Sequence, residues 1–200
     1  KKIIDQLKKN NINIKLIDMG GGLGINYQNN DVPSLKDFGK TINQVINDNE
    51  LLDYDFIIEL GRSIVGNVGY ILTSVEYIKK DSEKNFVIVD AGMDNLIRPA
   101  LYGAWHEIKP ITDNKDQNIL YDIVGPVCEC TDFLGKDRRL SVEQGDLLII
   151  SSCGAYASSM ASNYNSRPKP SEIMIKNGEI HIISRKEKIN DLFSREIIIS

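Results

Sequence analysis

The sequence predicts an α/β segment built on parallel strands, followed by a β-rich domain. Up to Arg62 the apolar residues alternate between helical spacing and short continuous runs, giving helix, strand, helix, strand, the rhythm of a parallel sheet. Beyond Arg62 the rhythm changes to short strand-like runs bounded by Gly, Pro, Asn and Asp. The two early strands also run straight into loops, Gly20–Gly24 and Glu59–Arg62, where functional groups gather in parallel α/β folds. The change of rhythm puts a boundary near Ile64–Val68 and divides the chain into segments 1–66 and 67–200.

Lys1 to Asn10 carries Ile3, Ile4 and Leu7 on one helical face. Lys15–Met19 reads as the first strand. Ser34 and Asp37 have capping-box spacing, and Leu35, Phe38, Ile42, Val45 and Ile46 then repeat as a helix to about Asn47. Asp55–Leu60 is a buried strand ending at Glu59. In the second segment Ile71–Lys79, Phe86–Asp90, Asp122–Val127, Asp146–Ser151, Glu172–Lys176 and Glu179–Ser184 read as strands. Asn177-Gly178 is a hairpin turn signal, and only Ala155–Asn163 reads as helical there.

With 200 residues the chain can bury one real core or two small ones. A net charge of -4, with no basic patch interleaved with aromatics, argues against non-specific nucleic-acid binding. No apolar run is long enough to span a bilayer, so no membrane partner is expected. Three cysteines without framework spacing suggest a reducing compartment, hence the cytoplasm. Cys128-x-Cys130 lacks zinc-knuckle spacing, and with only His106 and His181 to help, no metal site is expected. The chain opens on Lys1-Lys2 in what reads as mid-helix, the pattern of a fragment or a processed chain.

Four constellations can carry chemistry. Ile17-Asp18-Met19-Gly20-Gly21-Gly22-Leu23-Gly24 is a strand entering a glycine cluster, whose converging amides can form an anion nest or simply a tight turn. A dinucleotide fingerprint would open directly into a helix, whereas the polar stretch Ile25–Pro33 follows. Glu59, beside Gly61 and Arg62, is either a solvated acid paired with Arg62 or the partner of a cation such as a protonated pyridine nitrogen. Arg98 with Tyr102 can grip a carboxylate through a bidentate fork, or Arg98 can cap loop carbonyls. Cys128-Glu129 follows Gly125-Pro126 at a strand end, so the thiol is a small buried residue or a proton donor. Tyr156 precedes a run of small residues and is either core or a hydroxyl near an anion.

Together these stretches resemble one family. The glycine loop, Glu59-Leu60-Gly61-Arg62, Asp90 to Tyr102 followed by His106, Gly125-Pro126-Val127-Cys128-Glu129, and Gly154 to Asn165 are similar, in order, to the motifs of the fold-type III, alanine-racemase-like pyridoxal-phosphate decarboxylases. Leu60 stands where that family usually has Pro, and Cys130 where a small residue such as Ser is common. Within the family the motifs are most similar to those of members acting on meso-2,6-diaminopimelate, which yield L-lysine and CO2 in the last step of lysine biosynthesis.

The resemblance implies a C-terminal piece of a pyridoxal-phosphate-binding (β/α)8 barrel followed by a β-rich, sandwich- or barrel-like domain. Such a barrel takes ~250 residues and cannot fit here; the resemblance implies that the family's cofactor-bearing lysine, on an early barrel strand, precedes this chain, leaving it inactive alone. It implies pyridoxal 5'-phosphate as cofactor, with Gly20, Gly21, Gly22, Gly61 and Arg62 at its phosphate, Glu59 at its ring nitrogen, and Tyr156 adding a contact. Arg98 and Tyr102, assisted by Arg62 and Tyr156, would take the distal carboxylate of the small-molecule substrate, and Glu129 its ammonium. Cys128 would return the proton, reaching the site from the other subunit of a homodimer. An ornithine- or arginine-type decarboxylase of the same fold is the rival that Arg98 and Tyr102 disfavour, since those substrates end in a cation. A non-catalytic homologue is disfavoured by the joint presence of Cys128, Glu129, Glu59 and Tyr156.

Overall fold

The structure, a computed structural model, describes residues 1–28, 31–112 and 118–199. Asn29 and Asn30, in the polar loop expected after Gly24, lie outside the described residues. The chain divides into two compact units, Lys1–Asn67 and Val68–Ser200.

The first unit holds α1 (Lys2–Lys9), β1 (Leu16–Asp18), α2 (Leu35–Asp48), β2 (Asp55–Ile57) and α3 (Gly61–Val65). β1 and β2 pair in parallel, Ile17 opposite Phe56, as the alternating rhythm predicts. Both strands are shorter than expected, because Met19 and Glu59 already belong to the loops that leave the sheet. The Ser34 cap accepts the Asp37 N–H (3.1 Å), but Asp37 reaches back to the Ser34 hydroxyl (2.6 Å) rather than to its backbone. α3 was not expected, since five residues are too few to show a helical period.

The second unit is a six-stranded mixed sheet in the order β5-β8-β3-β4-β6-β7, with a separate two-stranded hairpin. Its strands are β3 (Ile71–Lys79), β4 (Phe86–Val89), β5 (Ile108–Pro110), β6 (Ile119–Val124), β7 (Phe133–Leu140) and β8 (Leu147–Ile150). Among the described residues of this sheet only β4 and β6 pair in parallel; the other neighbours are antiparallel. The order begins at β5 and ends at β7, yet these two approach each other: a Cβ on Gly135 of β7 would meet Ile108 of β5 at 3.0 Å. The sheet therefore curls nearly closed around Val75, Val87, Val89, Leu96, Ile123, Leu134, Leu148 and Ile150, all fully buried.

β5 and β7 are strands that the sequence pattern missed, and Asp122–Val127 is displaced, the strand running Ile119–Val124. The helix expected over Ala155–Asn163 is confined to Ala157–Met160 (α5), because Tyr156 adopts a left-handed backbone (φ 70°) and Ala161 an extended one. The unit also holds the short helices α4 (Arg98–Tyr102) and α6 (Ile189–Leu192). β9 (Glu172–Lys176) and β10 (Glu179–Ser184) turn at Asn177-Gly178, both with positive φ, as the hairpin signal requires.

Candidate active site

In the first unit the glycine loop and the Glu59 strand end are stitched together. Met19 N–H donates to the Ile57 carbonyl (3.0 Å) and Glu59 N–H to the Gly20 carbonyl (2.8 Å). A Cβ on Gly21 would collide with the Glu59 carbonyl oxygen, so only glycine allows this approach. Gly20 (φ 70°) and Gly22 (φ 95°) turn the backbone left-handed, and no atom of the described residues lies within 4 Å of where their Cβ would be. The loop thus presents a face free of side chains, which fits a phosphate. Gly20 N–H already donates to Asp18 Oδ1 (2.8 Å), so Gly20 shapes such a site rather than donating to it. Among the described residues no ion pair joins Glu59 to Arg62. Both stand one turn apart at the start of α3, with Glu59 exposed and Arg62 half-buried.

In the second unit Arg98 opens α4. Pro99 fixes the first turn and left-handed Gly103 ends the helix, its N–H donating to the Pro99 carbonyl (3.0 Å). Arg98 and Tyr102 lie four residues apart, on one face. Arg98 Nη1 donates to His106 Nε2 (3.0 Å), and its guanidinium lies 5.6 Å from the centre of the Tyr156 ring. His106 Nδ1 in turn faces the Ser151 carbonyl (3.0 Å). An arginine can only donate and a carbonyl only accept, so the ring is neutral, with its proton on Nδ1. Burial pushes the His106 pKa below its ordinary value, and the nearby Arg98 and Arg138 charges add to this. Burial likewise pushes the Cys153 thiol, 3.9 Å from His106 Nδ1, up to about 12.

Cys128 and Glu129 lie in the exposed turn after β6. Glu129 accepts a long hydrogen bond from the Tyr164 hydroxyl (3.5 Å). Buried Asp132 fixes this turn: its carboxylate accepts from Val127 N–H (2.7 Å) and, on its other oxygen, from Met93 N–H (2.6 Å). The same carboxylate fills the space that side chains at Gly92 and Gly125 would need. Burial first, and then the Asp94 charge, raise the Asp132 pKa above the usual carboxylate range, against the lowering effect of those two N–H groups.

The structure thus brings Gly20–Gly22 to Glu59, and Arg98 to Tyr156. Tyr102 stays exposed beside Arg98, and Glu129, next to Cys128, accepts from Tyr164. Sequence reading noticed His106 only as part of a motif and missed Asp132 and Ser151, whose roles arise from contacts across the sheet.

Residues 7–154 match a family described as "Pyridoxal-dependent decarboxylase, C-terminal sheet domain". The chain belongs to that family. Its relatives include the diaminopimelate decarboxylase of Neisseria meningitidis serogroup A, 44% identical over 195 residues, covering 98% of this chain and 47% of the relative. The crystal structure of Helicobacter pylori diaminopimelate decarboxylase complexed with L-lysine matches with a TM-score of 0.87 at 43% identity, covering 98% of this chain and 48% of that one. The M. jannaschii enzyme in co-complex with L-lysine matches with a TM-score of 0.91 at 35% identity, covering 99% and 46%. The chain spans about half the length of the curated relatives it matches. The fold class expected from sequence, an α/β piece followed by a β-rich domain, is the one observed.

Proposed function

We propose that this chain forms the C-terminal part of a pyridoxal-phosphate-dependent decarboxylase that converts meso-2,6-diaminopimelate to L-lysine and CO2. The observation that carries this reading is Arg98. It is held at the mouth of α4 by a neutral histidine on one side and an aromatic ring on the other. A guanidinium so placed, with Tyr102 on the same helical face, suits a carboxylate, the group that distinguishes diaminopimelate from ornithine or arginine at the distal end. Tyr102, on the same helical face, and Arg62 would complete that recognition, and Glu129 would take the distal ammonium.

When bound, the cofactor supplies the electron sink for carbanion chemistry. The side-chain-free glycine loop and the Gly61-Arg62 backbone would hold its phosphate, with Tyr156 adding a contact. Glu59, which makes no ion pair with Arg62 among the described residues, is free to hold a proton on a ring nitrogen. Exposed Cys128 would deliver the proton that replaces the lost carboxylate, acting with Glu129 across a homodimer. Three free thiols fit a reducing compartment, the cytoplasm. No helix among the described residues is long and apolar enough to cross a membrane.

One steady-state assay on the full-length enzyme separates the two ends of the substrate. Arg98→Ala should raise KM for meso-diaminopimelate by the equivalent of ~2–5 kcal/mol, and Glu59→Gln should lower kcat while cofactor still binds. Unchanged kinetics in Arg98→Ala would reject diaminopimelate as the substrate.

A further inference from the structure

Two buried carboxylates meet over a glycine beneath the turns that lead to α4 and to Cys128. Asp94, in the turn before α4, is 1% exposed, and Asp132, in the turn before β7, is 5% exposed. Both face Gly92: a Cβ built there would lie 2.8 Å from Asp94 Oδ1 and 3.1 and 3.2 Å from the two Asp132 oxygens. The hydrogen bonds to Asp94 are lopsided. Arg167 Nε (3.0 Å) and Asn95 Nδ2 (3.3 Å) both donate to Oδ2, while Arg167 Nη2 is spent on the Asp90 carbonyl (2.6 Å). Oδ1, on the Gly92 side, is buried and has no hydrogen-bond partner among the described residues. A carboxylate oxygen left bare in the interior pays its desolvation in full.

Charge points the same way. The charged groups facing this spot are Asp94 from the turn before α4, Asp132 from the turn before β7 and Arg167 from the segment after α5. The Asp90 carboxylate is turned away, accepting from the Thr73 hydroxyl and the Ser74 N–H of β3. With both acids ionised, two negative charges stand against one guanidinium. A single proton removes the excess and supplies the donor that Asp94 Oδ1 lacks. Burial and the Asp94 charge already favour the protonated form of Asp132.

We propose that Asp94 and Asp132 share one proton, an acid beside its conjugate base, and that this proton positions the Cys128 thiol by holding the turn before α4 against the turn that presents it. This rests on the reading of Cys128 as the proton donor. Two such carboxyls titrate as a unit. When the proton leaves, like charges part the two turns. The folded chain binds the proton more tightly than the unfolded one. The contribution is therefore complete below the ordinary carboxylate value of 3.8 and is lost as pH rises through the folded pair's own titration.

The test is Asp94→Asn in the full-length enzyme. The amide keeps an oxygen for Arg167 and puts an NH2 where the bare Oδ1 was, a donor that does not titrate. Infrared difference spectra with 13C-aspartate should show, in the wild type, a protonated aspartic carboxyl that persists above the ordinary carboxylate range and is missing from Asp94→Asn. The ratio of variant to wild-type kcat for meso-diaminopimelate should be near one at the acid end. It should climb by at most about tenfold per pH unit across the pair's titration, with the KM ratio flat. Urea unfolding should follow, the variant gaining on the wild type by at most about tenfold per pH unit in the unfolding constant. No such carboxyl in the wild type overturns the proposal, and that measurement stands even if Asp94→Asn does not fold. A carboxyl present with a flat kcat ratio overturns the positioning role. If Cys128→Ala keeps full kcat, the proton-donor reading falls and the positioning role with it; the spectra and unfolding curves, which do not pass through Cys128, still decide whether the proton is shared.

Discussion

Replacing Gly69 by alanine should destabilise the β-rich unit by about 2–4 kcal/mol. A Cβ at Gly69 would collide with the backbone N and Cα of Gly154 and come within 2.9 Å of the Cys153 carbonyl carbon. All three obstacles are main chain, so no side chain can swing aside, and carbon–carbon contacts relax only near ~3.5–4 Å. The 153–154 segment must therefore retreat by about 1 Å, which costs the usual ~1–3 kcal/mol of overpacking. Retreat also stretches the Cys153 N–H to Gly69 carbonyl bond (2.8 Å), worth about 0.5–1.5 kcal/mol. Urea unfolding of Gly69→Ala gives the loss, and Gly145→Ala is the control. Gly145 has positive φ (90°) but no atom of the described residues within 4 Å of its Cβ position, so backbone strain is what is added there, of order 1 kcal/mol. Because Gly154 leads directly into Tyr156, Gly69→Ala should also weaken substrate binding in the full-length enzyme. A loss in Gly69→Ala no larger than in Gly145→Ala would show that the backbone contact is not tight, and the reasoning would be wrong.

Thiol labelling of the native chain should modify two of its three cysteines: Cys128 and Cys130 are exposed, whereas Cys153 is buried with its pKa pushed up to about 12. Labelling of all three at equal rates would contradict that placement. His106 has a folded-state pKa below its unfolded value of 6.5, so below pH 6.5 the unfolded chain binds a proton that the folded chain refuses. Its contribution is complete above pH 6.5 and is lost as pH falls toward the folded pKa, with a slope of at most about 1.4 kcal/mol per pH unit. Denaturation of wild type and His106→Gln across that range isolates the effect, since the opposite-signed contribution of Asp132 is common to both; parallel curves would count against it. Mixing a full-length variant that lacks the cofactor-bearing lysine with Cys128→Ala subunits should restore activity to about a quarter of sites if each site combines residues from both subunits of a two-fold dimer. No recovery after proven subunit exchange would place both groups in one subunit.

Much of the fold was legible because its signals are local. Ile71–Lys79 alternates, Asn177-Gly178 demands a hairpin, and Ser34 caps the helix that follows it. β7 was hidden because Phe133–Leu140 carries a glycine and four charges. Gly135 leaves room for Ile108, while Arg138 covers Trp105 at 4.3 Å, a logic that exists only once the sheet has curled. β5 is three residues long and ends in Pro110, too short for any period. Within the site, Arg98 could be singled out by its charge and its α4 neighbours. The histidine that accepts from it is eight residues on and faces the Ser151 carbonyl, which is supplied by another strand end. Such pairings are set by tertiary packing and leave no spacing to read.

The Asp132 carboxylate joins the Met93 turn, which leads into α4, to the Val127 turn, which carries Cys128. One buried group is thus a rivet between the loop proposed to choose the substrate and the loop proposed to return its proton. Strain introduced in either loop has a short, stiff route to the other, since both N–H donors lie under 3 Å from the same side chain. Efforts to retune specificity by rebuilding the 92–98 segment will therefore tend to misplace the thiol as well. Altered variants should lose turnover before they gain a new substrate, unless the rivet itself is redesigned along with them.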